Sequence, residues 1–241
     1  IKERNKKVRG NEIRGQRVLL HNNASDAIEK LTITTTGDST NFGNLTVNRG
    51  SHSCFTSTTR GICVNGSFPG TGQTNILDYV TIASEGNAAD FGDSTNSTRD
   101  SSEGAVGNNV RGVRGGGADP SHSNVIDYNF MASLGNSTDF GDLIAASRGG
   151  GAASSNTRGL IAGGAAPGDH DVIQYITISS TGNSTDFGDL TEAKSSPTGN
   201  SSSTRAVFMG NHSPAVVKVI DTVEIATLGN ATDFGDLTIA R

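Results

Sequence analysis

Three observations predict an all-β chain built as a five-bladed β-propeller, four antiparallel strands to a blade. The segment Gly-Asn-Ser-Thr-Asp-Phe-Gly-Asp-Leu at residues 182–190 returns almost unchanged at 135–143 and 229–237, more loosely at 86–93, and with Asp and Asn exchanged at 37–45. Its phenylalanines, Phe42, Phe91, Phe140, Phe187 and Phe234, stand 49, 49, 47 and 47 residues apart. A fixed period of roughly 40–50 residues marks a propeller blade or a solenoid coil. Third, no window sustains apolar residues at helical spacing, whereas short β-branched runs alternate with Gly, Ser, Thr and Asn.

Basic residues close the units at Arg49, Arg99, Arg148, Lys194 and Arg241, which divides the chain into 1–49, 50–99, 100–148, 149–194 and 195–241. Unit four shows the plan. Residues 149–155 are small and suit an innermost strand, where neighbouring blades crowd. A second strand runs over 158–162 and stops at Gly163-Gly164; Pro167 and Gly168 turn the chain. The β-branched and aromatic run 172–178 predicts a third strand. Residues 185–191, around Phe187, predict the outermost. The second strand recurs at 14–20, 60–64, 111–114 and 205–209, and the third at 28–33, 76–82, 125–131 and 219–225.

Composition narrows the function classes. The formal net charge of −5 gives no case for nucleic acid, and the basic stretch 2–9 reads as a solvated arm. No run approaches the ~20 apolar residues of a membrane helix. The first residue is Ile, with no signal peptide, so a processed product or part of a longer protein is expected. Cys54 and Cys63 flank eight residues. A hairpin centred on Thr58-Thr59 would set them opposite each other, within reach of a disulfide; two reduced core thiols are the alternative.

A strand ending in a double glycine, then a strand carrying Tyr, then an aromatic and a closing Arg resembles the kelch repeat. The double glycine is Gly115-Gly116 and Gly163-Gly164, altered to Asn65-Gly66 and Gly210-Asn211; the tyrosines are Tyr79, Tyr128 and Tyr175, replaced by Leu31 and Thr222. Phe stands where kelch repeats usually carry Trp. The wording Thr-Arg-Gly, Ile-Asp-Tyr and Gly-Asn-Ser-Thr-Asp-Phe-Gly-Asp-Leu is closer still to kelch-like repeats in virion structural proteins of marine bacteriophages of the cyanophage type. The resemblance spans the chain and implies fold and setting rather than ligand.

The recurring phenylalanines are expected to wedge between blades. Asp93, Asp142, Asp189 and Asp236 are expected to pair with Arg60, Arg111, Arg158 and Arg205, or to bond turn amides. A calcium site per blade, from residues such as Asn136, Asp139 and Asp142, is the weaker reading, because Asn41 and Asn44 replace the carboxylates in unit one. Otherwise no cofactor or metal is expected. His21, His122, His170 and His212 are placed in the loop after the second strand, a candidate binding face. No Gly-x-Ser-x-Gly or His-Glu-x-x-His occurs, and the repeated Asp pairs look architectural rather than glycosidic. Sequons such as Asn65, Asn136, Asn183 and Asn230 are ascribed to composition.

The expectation is a non-enzymatic virion or extracellular protein (tail, fibre or capsid decoration) whose loops bind a host-surface glycan or protein. It would associate with other virion proteins or copies of itself, without nucleic acid or membrane insertion. The alternative is a purely architectural subunit of a capsid, tail or filament; a glycan-active enzyme comes third.

Overall fold

The structure, a computed structural model, describes residues 9–12, 17–21, 25–70, 72–98, 105–119, 121–165, 167–211 and 215–240. The chain is all-β, in five antiparallel sheets. Unit one contributes β1 (Arg9–Glu12), β2 (Arg17–His21), β3 (Ser25–Thr32) and β4 (Thr40–Arg49). Unit two follows with β5 (Ser53–Thr56), β6 (Arg60–Val64), β7 (Ile76–Thr81) and β8 (Ala89–Asp93). Unit three has β9 (Ala105–Gly107), β10 (Arg111–Gly115), a two-residue extra strand β11 (Ala118–Asp119), β12 (Ser121–Phe130) and β13 (Thr138–Ser147). Unit four has β14 (Gly151–Ser154), β15 (Arg158–Ala162), β16 (Val172–Thr177) and β17 (Thr185–Asp189), and unit five β18 (Thr198–Ser201), β19 (Arg205–Met209), β20 (Val219–Glu224) and β21 (Thr232–Asp236).

Each sheet draws its strands from one contiguous unit, in sequence order from inside to outside except for β11, which pairs with β12. The second strand of unit one is described from Arg17, residues 14–16 of the expected strand lying outside the described residues; Arg17, facing Thr32, is the counterpart of Arg60, facing Thr81. The innermost strands pack on one another in order, β1 on β5, β5 on β9, β9 on β14 and β14 on β18, which gives the propeller-like arrangement.

The outermost strand explains the repeated segment. In all five units its register against the third strand slips by one residue at the same place, as between Leu77/Asp78 and between Ile173/Gln174. Gly92 faces Leu77 and Asp90 faces Asp78, so the residue left without a partner is Phe91. A bulge of this kind takes one residue out of the ladder and re-aims it. The released phenylalanine turns toward the next unit. Phe42, Phe91, Phe140 and Phe187 are buried, and the four core clusters each straddle a unit boundary. The cluster around Phe187, for example, joins Leu160, Ile173 and Leu190 of unit four to Phe208, Val223 and Ile225 of unit five.

The bulge also frees backbone groups. The Gly86, Gly135, Gly182 and Gly229 amides donate to the carbonyls of Phe42, Phe91, Phe140 and Phe187 at 2.7–2.9 Å. Two residues on, the Ala88, Ser137, Ser184 and Ala231 amides donate to the Asn44, Asp93, Asp142 and Asp189 carbonyls. Between these, the side-chain oxygens of Asn87, Asn136, Asn183 and Asn230 accept from the amides of the same four residues. The first half of the repeated segment therefore binds the second half of the copy before it. The approach is close enough to require glycine: a Cβ on Gly92 would lie 2.6 Å from the Gly135 carbonyl, and Gly92 has φ +142°.

Candidate functional site: the polar central cavity

The inner strands end in turns that build a rim. Ser57, Asn108, Ser155 and Ser202 each accept the next-but-one and the third amide, through a side-chain oxygen, in turns leading into Arg60, Arg111, Arg158 and Arg205. Short polar side chains bond their own backbone in this way and fix the turn. Neighbouring turns are cross-tied: Asn109 Oδ1 accepts from the Thr58 amide, Asn108 Nδ2 donates to the Asn156 carbonyl, and Ser201 Oγ donates to the Ser154 carbonyl. The inner strands can approach because their side chains are small; a Cβ on Gly199 would lie 2.2 Å from the Ala152 carbonyl oxygen.

These turns surround a cavity of about 400 Å³ lined by units two to five. Its walls carry hydroxyls, carboxamides and backbone groups of residues such as Thr56, Asn109, Asn156 and Asn200, with no Asp, Glu, His, Lys or Arg among the lining residues. Apart from the Cys54 thiol, such a surface offers neutral hydrogen bonds in both directions and no acid or base.

Beside the cavity is one grouping of reactive side chains. Cys54 and Cys63 face each other across β5 and β6, as the hairpin reading expected, with sulfurs 2.8 Å apart and both as thiols. His52, buried in the approach to β5, brings a ring nitrogen within 4.8 Å of both sulfurs. Two thiols and an imidazole suit either two-electron oxidation to a cross-strand disulfide or a soft metal ion with a free coordination position. His52 escaped the sequence reading, which weighed histidines after the second strand; the signal was its place two residues before Cys54.

Of the four histidines chosen from the sequence, the three among the described residues do not occupy equivalent places. His21 is the last residue of β2, inside a strand, and faces Arg9. His122 lies in β12 opposite Ala118. His170 is in the loop between β15 and β16, and His212 lies outside the described residues. His170 Nε2 is 3.0 Å from Ser147 Oγ, bridging units three and four. Burial pushes its pKa below the usual 6.5, against the opposing pull of Asp171 and Asp169. This loop and the cavity rim are at opposite ends of the strands.

The expected Arg–Asp pairs also resolve differently. Among the described residues Arg60, Arg111 and Arg158 pair with no carboxylate: each guanidinium lies over Tyr79, Tyr128 or Tyr175 at 4.5–5.0 Å and donates to the Met131, Ile178 or Ile225 carbonyl of the next unit. Arg205 pairs with Glu224 on its own sheet. Asp93, Asp142 and Asp189 act across the boundary through their backbone, and Asn136 Oδ1 is engaged with the Asp93 amide. Buried ion pairs occur elsewhere, at Arg49–Asp78, Arg114–Asp127 and Lys194–Asp221.

No known protein family and no curated protein matches the sequence. Among solved structures the chain resembles one titled "Structure of YjhT" with a TM-score of 0.78 at 11% identity, over 98% of this chain and 85% of that one. At that identity the likeness shows the fold alone. With 281 solved chains matching, the architecture carries no ligand with it.

Proposed function

We propose that the protein is a non-enzymatic recognition module, a kelch-like propeller of which this chain forms five blades, with its binding surface at the rim of the central cavity. The observation that carries this reading is the lining itself: hydroxyls, carboxamides and backbone groups from four units, held by cross-tied turns, with no Asp, Glu, His, Lys or Arg side chain. A preorganised neutral surface suits a polyhydroxylated partner such as a host-surface glycan, since fixed turns lose little entropy on binding. The virion setting rests on the wording of the repeats, and the partners there are host-surface glycan or protein and neighbouring virion proteins.

The test is a glycan array probed with the full chain. Binding is expected, and Ser203→Arg, which fills the exposed rim, is expected to abolish it without lowering Tm. An array without hits, or binding indifferent to that substitution, removes this reading.

A second reading, a purely architectural subunit, is favoured by exposed apolar side chains away from the ends of the array, Val110, Leu134 and Ile144. Concentration-dependent assembly of the chain alone would select it.

A further inference from the structure

The four internal junctions define what a unit boundary requires, and the two ends of the array each present half of it. At the unit-five end, Phe234 is released by the same bulge as its counterparts. It is 57% exposed, whereas Phe42, Phe91, Phe140 and Phe187 are 2–3% exposed. A Cβ on Gly235 would meet nothing within 4 Å, although Gly43, Gly92, Gly141 and Gly188 are each pressed against a neighbouring glycine. Arg205 turns back to Glu224, while Arg60, Arg111 and Arg158 reach across.

The unit-one end is the complement. Ile33, counterpart of Ile82, Met131, Ile178 and Ile225, is 49% exposed where those are at most 7%. Residues 37–39 keep the donor half of the boundary: Gly37 and Ser39 occupy the places of Gly135 and Ser137, and Asp38 replaces Asn136 with another side chain whose oxygen accepts. In a unit with no neighbour, neither the bulged phenylalanine nor this turn would have a partner to serve.

We propose that these two faces are joined by one further unit of the same repeat on the same polypeptide, completing a ring of six. Its own Gly-Asn-Ser turn would dock on Phe234-Gly235-Asp236, and its bulged aromatic on Ile33 and residues 37–39. The proportions of a similar solved chain support one unit rather than direct closure. Nearly the whole chain superposes on a solved chain whose uncovered remainder, about 40 residues, approximates one more unit. If the missing part is one unit, as those proportions indicate, a second copy of this chain is disfavoured, because its remaining four units would be set against unit one. The inference is independent of what the cavity binds.

Hydrogen exchange read residue by residue tests it. In the 241-residue chain the amides of Gly86, Gly135, Gly182 and Gly229 are expected to be protected, and those of Gly37 and Ser39 to exchange freely. Appending a copy of residues 149–194 after Arg241 should give a monomer in which Gly37 and Ser39 exchange about 100-fold more slowly or better. In that longer chain Gly235→Val should abolish the gain, while leaving Gly86, Gly135 and Gly182 protected. Protection of Gly37 and Ser39 already in the monomeric 241-residue chain would mean that five units close unaided, and overturn the proposal. So would protection that arises only with concentration-dependent association, which would make the partner a second copy, or amides that stay exposed in the longer chain.

Discussion

Where a buried charge pair joins units four and five, the described residues at the junction of units three and four place a carboxamide. Lys194 and Asp221, both fully buried, stand 2.7 Å apart, and Thr191 Oγ1 donates to the same carboxylate. At the corresponding place between units three and four, Gln174 Oε1 accepts from the Ile144 amide and from Ser184 Oγ. The junction from one to two repeats the charged version, through Asp78 with Arg49; from two to three, Asp127 is paired with Arg114 of its own unit and accepts from Thr95 of unit two. What all four share is an acceptor on the third strand, aimed at the chain leaving the previous unit. The charge is therefore one solution rather than the requirement. A buried carboxylate answers the amide well but needs a cation to offset its desolvation, while a carboxamide needs none.

The largest expected effect separates these two solutions. Lys194→Met strands the Asp221 carboxylate and should cost about 4 kcal/mol, whereas Lys194→Met with Asp221→Gln and Thr191→Ile leaves a neutral carboxamide acceptor and no stranded charge, and should recover most of it. Equal losses in the single and triple variants by denaturant unfolding would show that charge itself is needed. Next come the shared parts: Phe140→Ala and Phe187→Ala should each cost about 3 kcal/mol, and Phe234→Ala almost nothing. A marked difference between the first two would mean that the junctions differ in packing as well as in charge. Smaller again, Arg111→Met and Arg158→Met should each cost about 1–2 kcal/mol through the lost ring contact and the cross-boundary hydrogen bond.

The smallest effect depends on pH. His170, tied to Ser147 at the neutral junction, has a depressed pKa, so folding favours its uncharged form. The contribution is whole above the usual 6.5. It declines as pH falls from there through the folded value, and it is flat below that. His170→Gln should remove this decline in thermal unfolding followed across pH 7 to 4, leaving neutral stability nearly unchanged. An identical acid profile in wild type and variant would place the titration elsewhere.

Much of this could be read in the sequence, and the remainder has a common cause. The period gave five units, and β-branched runs placed the third strands within a few residues. The phenylalanines were recognised as wedges, which holds for four of them. A fixed period reveals which residues recur but not which recurring position meets which across a boundary. Asp93 and its equivalents were accordingly paired with Arg60 and its equivalents. The buried cations actually include the unit-closing Arg49 and Lys194, bound to Asp78 and Asp221, the counterparts in the following unit of the Asp in Ile-Asp-Tyr. The bulge was hidden for another reason: alternation within Thr-Asp-Phe-Gly-Asp reads as an ordinary strand until its register is known. The histidines misled because spacing from a strand end does not fix position when the loops differ in length.

Because the nonapeptide carries both a lock and its key, any copy can fit any other. An unfolded chain thus holds many nearly equivalent wrong dockings, such as unit two seated on unit four with unit three looped out. The linkers tilt the odds, since nearest neighbours find each other with the least loss of chain freedom. Slow refolding phases that disappear when the segments are made dissimilar would be the kinetic mark of so repetitive a design.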